Sequence, residues 1–243
     1  MKKLLLTSVC TLVVTGAAFA QGTFGWSVIS AAGMTAQVNN TIGPLFGGTP
    51  SVSGTYMPTT TGAFYFELLY NTAFTGSQIA GPTLAALTGG SWIDTGLEAM
   101  NATASAGKLV AINPNTAAVV PGWVGGIGTE GGTTNNIVLV GWSSNLGTSW
   151  SAVAPILADW YYEEPLVVGP AYFGESNTGY IVPNINTGGI GLGASVFASA
   201  ANNNGLPINS LNTQLYALPV PEPAMFALAG LGGLSLLLFR RRK

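Results

Sequence analysis

The stretch GAFYFELLY, residues 62–70, sets the terms for the whole chain. Phe64, Phe66, Leu68 and Tyr70 alternate with Tyr65, Glu67 and Leu69, a period of two that gives a β-strand one wholly apolar face. Similar short bursts occur at 22–30, 107–112, 135–142, 165–173, 189–199 and 211–218. Between them lie turn signals such as Gly47-Gly48, Gly89-Gly90, Asn113-Pro114 and Gly131-Gly132. Strand-length runs punctuated in this way are the pattern of an all-β sandwich or barrel, because Gly, Pro and Asn suit turns and weaken strand interiors. The reading is all-β: a single jelly-roll-like β-sandwich over residues 21–218.

Helical spacing appears only twice. Trp150, Val153, Leu157 and Trp160 fall three or four apart within GTSWSAVAPILADWYY, where Pro155 has to sit in a first turn or kink the element. GSQIAGPTLAAL, residues 76–87, is weaker and is interrupted by Gly81-Pro82. One or two short helices therefore accompany the strands. Gly-Trp recurs at 25, 122 and 141, but those spacings share no unit, which argues against a propeller or solenoid.

Chemistry is narrowed by what is missing. The chain has no histidine and one cysteine, Cys10, inside an N-terminal apolar run. A Ser-His-Asp triad, a cysteine nucleophile beyond residue 20, a disulfide and a Cys/His zinc site are thereby excluded. Charged residues are 7% of the total, against ~25% in typical soluble domains. In residues 21–219 the only base is Lys108. The acids there are Glu67, Asp94, Glu98, Glu130, Asp159, Glu163, Glu164 and Glu175. Nucleic-acid binding needs cations to displace counterions, so that class is excluded as well. Carboxylate chemistry, oxygen-ligated hard cations, and Ser/Thr nucleophiles activated by a lysine or carboxylate remain.

The densest acidic cluster is Asp159 with Glu163 and Glu164, flanking Tyr161 and Tyr162. It reads as a solvated corner, with calcium ligation or ligand contact as alternatives, the latter including the paired carboxylates of glycoside hydrolysis. No D-x-D-x-D-G loop is present, so no cofactor is expected beyond that calcium alternative. Asp94 and Glu98, with Gly96 between them, read as a surface loop. The tryptophans Trp26, Trp92, Trp123, Trp142, Trp150 and Trp160 read as core, the alternative being an exposed platform that stacks on sugar rings.

The two ends carry the most specific information. MKKLLLTSVCTLVVTGAAFA opens with Lys2 and Lys3, continues with an apolar run and closes on Ala18-Phe19-Ala20. That is the layout of a secretory signal peptide, residues 1–20, with Ala18 and Ala20 as signal-peptidase recognition residues. At the other end VPEPAMFALAGLGGLSLLLFRRRK joins Pro221-Glu222-Pro223 to an apolar run, Ala224 to Phe239, and then to Arg240, Arg241, Arg242 and Lys243. As a transmembrane helix the run covers roughly 24 Å at ~1.5 Å per residue, short against a core of about 30 Å. The terminal cations stay cytoplasmic by the positive-inside rule, leaving the body outside. Two prolines hold the approach to that helix extended and readable.

This order of tripeptide, apolar helix and basic end resembles the PEP-CTERM sorting signal of Gram-negative bacteria that make extracellular polysaccharide. The resemblance implies recognition of Pro221, Glu222 and Pro223 by the membrane enzyme exosortase, processing near them, and release to the cell surface or an exopolysaccharide matrix. The body, with FYFELLY and NNIVLVGWSSNLGTSW, is also similar to a domain recurrent in such exported proteins, a likeness that implies no activity. The expected partners are signal peptidase, exosortase, the membrane through residues 224–239 and extracellular polysaccharide. The expected role is structural or adhesive, and not enzymatic. The alternative is a carbohydrate-binding or carboxylate-dependent polysaccharide-active protein.

Overall fold

The computed structural model describes residues 21–25, 35–51, 53–112, 117–124, 132–160, 167–185, 194–197, 205–208 and 213–220. In chain order the strands are β1 (Gln21–Gly25), β2 (Ala36–Ile42), β3 (Thr55–Tyr56), β4 (Phe64–Asn71), β5 (Ile93–Asn101), β6 (Leu109–Ala111) and β7 (Ala117–Val124). They continue with β8 (Asn135–Ser143), β9 (Tyr172–Glu175), β10 (Gly179–Ile181), β11 (Asn184–Ile185), β12 (Ala194–Ser195), β13 (Gly205–Leu206) and β14 (Thr213–Ala217). Two α-helices are described, α1 (Leu84–Thr88) and α2 (Trp150–Ala158).

The described strands form a ten-stranded mixed sheet whose main path runs β3-β2-β14-β9-β8-β4-β5-β6, with β10 and β13 attached beside β8. Four more strands form a smaller sheet around β1. Along the main path every pairing is antiparallel except β2 with β14. The large sheet curls until its two edges meet. Ala36 N–H donates to the Gly107 carbonyl just ahead of β6 at 2.8 Å, and Gly107 N–H donates to the Met57 carbonyl just past β3 at 3.0 Å.

The curl creates an inner and an outer face, and side-chain alternation sorts residues between them. Phe64, Phe66 and Leu68 of β4 meet Ile137 and Leu139 of β8 and Leu215 of β14 inside the curl. Leu69, Val138, Val140, Trp142 and Phe173 face outward and are covered by Leu87 of α1 and by Trp150, Val153 and Leu157 of α2. Both faces being covered explains why all nine residues of β8 are buried and why its sequence is a nearly continuous apolar run.

Helix α2 buries the residues that its spacing marked, with Pro155 exposed inside it. Helix α1 is only five residues long. Thr83 caps it, its Oγ1 accepting from Ala86 N–H at 3.2 Å, while Gly81-Pro82 stay outside the helix.

Two local expectations are corrected. The strand read at 165–173 lies further on, at Tyr172–Glu175. Gly169 takes φ 84, and Asn145 Nδ2 donates to the Val168 and Pro170 carbonyls at 3.1 Å each, which holds 168–170 as a loop. The segment around Asp94 and Glu98 is not a loop but β5. Gly96 sits there at φ 70, beside a register shift against β4. β5 carries two extra residues at this bulge, and glycine reaches the backbone conformation there without a Cβ clash.

Candidate functional site

Of the acidic cluster singled out by sequence, only Asp159 lies among the described residues. Asp159 is exposed at the C-terminal end of α2, while Glu163 and Glu164 lie outside the described residues. Among the described residues no group of three or more His, Cys, Asp or Glu is placed to hold a metal ion. A sugar-stacking platform is ruled out for Trp92, Trp142, Trp150 and Trp160, which are all at most 4% exposed in the outer cluster. Two of them are also anchored by their indoles. Trp142 Nε1 donates to the Gly147 carbonyl at 2.8 Å and Trp160 Nε1 to the Pro219 carbonyl at 2.6 Å.

Strand pairing assembles a different set of acids. Glu67 of β4 lies opposite Glu98 of β5 on one side and Val140 of β8 on the other, and Val140 lies opposite Glu175 of β9. Residues directly opposite share a face, so Glu98, Glu67 and Glu175 stand in one row on the outer face. Glu67 and Glu175 are two strand spacings apart, roughly 10 Å along the sheet.

Glu67 is 1% exposed. Burial foremost, then its hydrogen bond to the Asp94 carboxyl and repulsion from Asp94 and Glu98, push its carboxyl up to about 10, against the pull of the Gly96 N–H. It is therefore a neutral acid at pH 7. Burial alone pushes Glu175 up to about 8. Its Oε2 is buried with no hydrogen-bond partner among the described residues.

Glu175 also borders an open cavity on this face. A cavity of about 280 Å³ is lined by the 3-10 turn Pro44–Phe46, by Phe173 and Glu175 of β9, by Gln214 and Tyr216 of β14, and by Gly81. The turn is folded back on itself by Phe46 and Gly48 N–H groups donating to the Gly43 carbonyl at 3.0 and 2.9 Å. Gly81 closes the opposite side, where a Cβ would stand 2.9 Å from Glu175 Oε1. Most polar groups of the wall are already engaged. Ser176 Oγ accepts from Leu139 N–H and donates to the Asn177 carbonyl, and the Tyr216 hydroxyl accepts from Ser51 N–H and donates to the Ser51 carbonyl. The carboxyl of Glu175 is not. In the sequence Glu175 is only one of the acids of the body, two residues past the strand read at 165–173; the cavity itself depends on the pairing of β9 with β14, which local sequence does not display.

Two contacts hold the C-terminal end of the described body. After β14, Leu218 N–H donates to the Ala171 carbonyl at 2.9 Å and Trp160 holds Pro219. Val220 is then 66% exposed. Residues 219–243 match the PEP-CTERM protein-sorting motif. The chain carries a PEP-CTERM sorting signal. That signal makes it an exosortase substrate, exported as a membrane-anchored precursor. The PEP-CTERM match begins at Pro219, so its tripeptide follows the exposed Val220 directly in the sequence. Pro221, Glu222, Pro223, Arg240, Arg241, Arg242 and Lys243, like Ala18 and Ala20 of the leader, lie outside the described residues. So does the apolar run 224–239; among the described residues no helix is long and apolar enough to cross a membrane. No curated protein and no solved structure matches the chain.

Proposed function

We propose that the protein is a structural or adhesive component of the cell surface or the exopolysaccharide matrix, without enzymatic activity of its own. Residues 21–218 would act as one exported β-sandwich module, carried to the membrane by the tail and processed near Pro221 to Pro223. The observation that supports this reading is the junction: the body is tied down through Trp160 and Pro219, and the sorting signal starts there. A folded domain that reaches an exposed Val220 immediately before the motif tripeptide suits a protease that works at the membrane face and releases its substrate.

The test is intact-mass measurement on the protein recovered from the surface and medium of its own host. A mass from Gln21 to the neighbourhood of Pro221 supports a released matrix protein. A mass that runs to Lys243 refutes release. The carbohydrate-active reading keeps one favourable observation, the cavity beside Glu175, but the four buried tryptophans give it no stacking platform.

A further inference from the structure

We infer that the cavity beside Glu175 is a binding site for a small ligand bearing a primary ammonium group. Three independent features converge there. The space, about 280 Å³, would hold roughly nine waters at ~30 Å³ each, which is the scale of one sugar ring or a short alkyl chain. Its wall contains the rings of Phe46, Phe173 and Tyr216, and aromatic faces attract a desolvated cation through their quadrupoles. At one side stands Glu175, whose Oε2 has no partner among the described residues.

A buried carboxyl without a partner is costly unless something pairs with it. Among the described residues nothing pairs with it, and the one base between residues 21 and 219, Lys108 at the entrance to β6, does not line the cavity. A ligand cation satisfies both the carboxyl and the rings, whereas a neutral polyol uses only the hydrogen-bonding capacity. The surplus of acids over bases in the body also raises the local concentration of cations around it. Two sources share this chemistry, a de-N-acetylated amino sugar and an aliphatic amine. The assignment does not depend on the matrix role, since the mass measurement above tests that role separately.

The experiment is isothermal titration of the full chain, held in a polyoxyethylene detergent that carries neither sugar nor ammonium. The probes are glucosamine, N-acetylglucosamine, glucose and propylamine. Glucosamine and propylamine are expected to bind and the two neutral sugars not to. Tighter binding of glucosamine assigns the amino-sugar source, and equal or tighter binding of propylamine assigns the alkylamine. Glu175→Gln should weaken ammonium binding at least tenfold. Phe46→Ala, which leaves the carboxyl in place and removes one ring, should weaken it several-fold. The inference is overturned if no probe binds, if N-acetylglucosamine binds as well as glucosamine, or if both variants bind like the parent. Should Glu175→Gln fail to fold, Phe46→Ala alone decides.

Discussion

Glu67→Gln should make the protein more stable at neutral pH, although it alters a buried hydrogen-bonded residue. In the folded state the Glu67 carboxyl titrates at about 10, and in the unfolded chain at the ordinary 4.5. Below 4.5 both states hold the proton and the group has no effect on the balance. As pH rises above that value the unfolded chain releases its proton and the folded protein keeps it, so stability falls by about 1.4 kcal/mol per pH unit. Between pH 4.5 and pH 7 the loss from this one group is about 3 kcal/mol. Glutamine is the neutral isostere of the protonated acid, and its amide still donates to Asp94. The variant should therefore match the parent near pH 4.5 and exceed it by about 3 kcal/mol at pH 7. Glu175 acts with the same sign up to about 8, so a residual slope remains. Urea unfolding at the two pH values, followed by the fluorescence of the buried tryptophans on residues 21–220, measures the difference between the curves. Parallel pH profiles for the two proteins would refute the argument that burial keeps Glu67 protonated.

Other expectations follow from single contacts. Asn101, 1% exposed, accepts from Phe64 N–H at 3.0 Å and donates to the Pro58 and Thr60 carbonyls. Asn101→Ala strands a buried N–H and should cost about 2–3 kcal/mol in urea unfolding. Gly174→Ala should prevent folding, as judged by loss of the cooperative transition, because a Cβ there would lie 1.9 Å from the Gln214 carbonyl oxygen across the β9–β14 pairing. Trp142→Ala, emptying a fully buried site in the outer cluster, should cost about 3–5 kcal/mol. Trp160→Phe keeps the ring but loses the hydrogen bond to Pro219, and limited proteolysis should nick the chain after Leu218 faster than in the parent.

How much of this was readable in advance depended on how local each signal was. β4 and β8 announce themselves, since their residues carry the period or the unbroken apolar run that two covered faces require. α2 does so too, because Trp150, Val153 and Leu157 mark one stripe. β5 was hidden by Gly96 and two acids, which look like a loop until the bulge and the opposing Glu67 are seen. The acids of the sheet left no comparable local signal. Asp159, Glu163 and Glu164 crowd together along the chain, whereas Glu67, Glu98 and Glu175 come together only through the pairing of β5, β4, β8 and β9. The sorting tail was fully legible because a linear motif is read in extended form and needs no fold.

The position of β14 has a consequence for the order in which the exported chain can take shape. This strand, the last of the body, lies in the middle of the large sheet, with β2 on one side and β9 on the other. Until it emerges, the β2–β3 pair can join the block from β9 to β6 only through the edge contacts of Ala36 and Met57 with Gly107, while the facing edges of β2 and β9 stay open. A chain crossing the membrane from its N-terminus delivers β14 last, just before the segment that holds it in the bilayer. Completion of the sheet and arrest at the membrane therefore coincide, and the protease at that membrane meets a domain that has only just become whole.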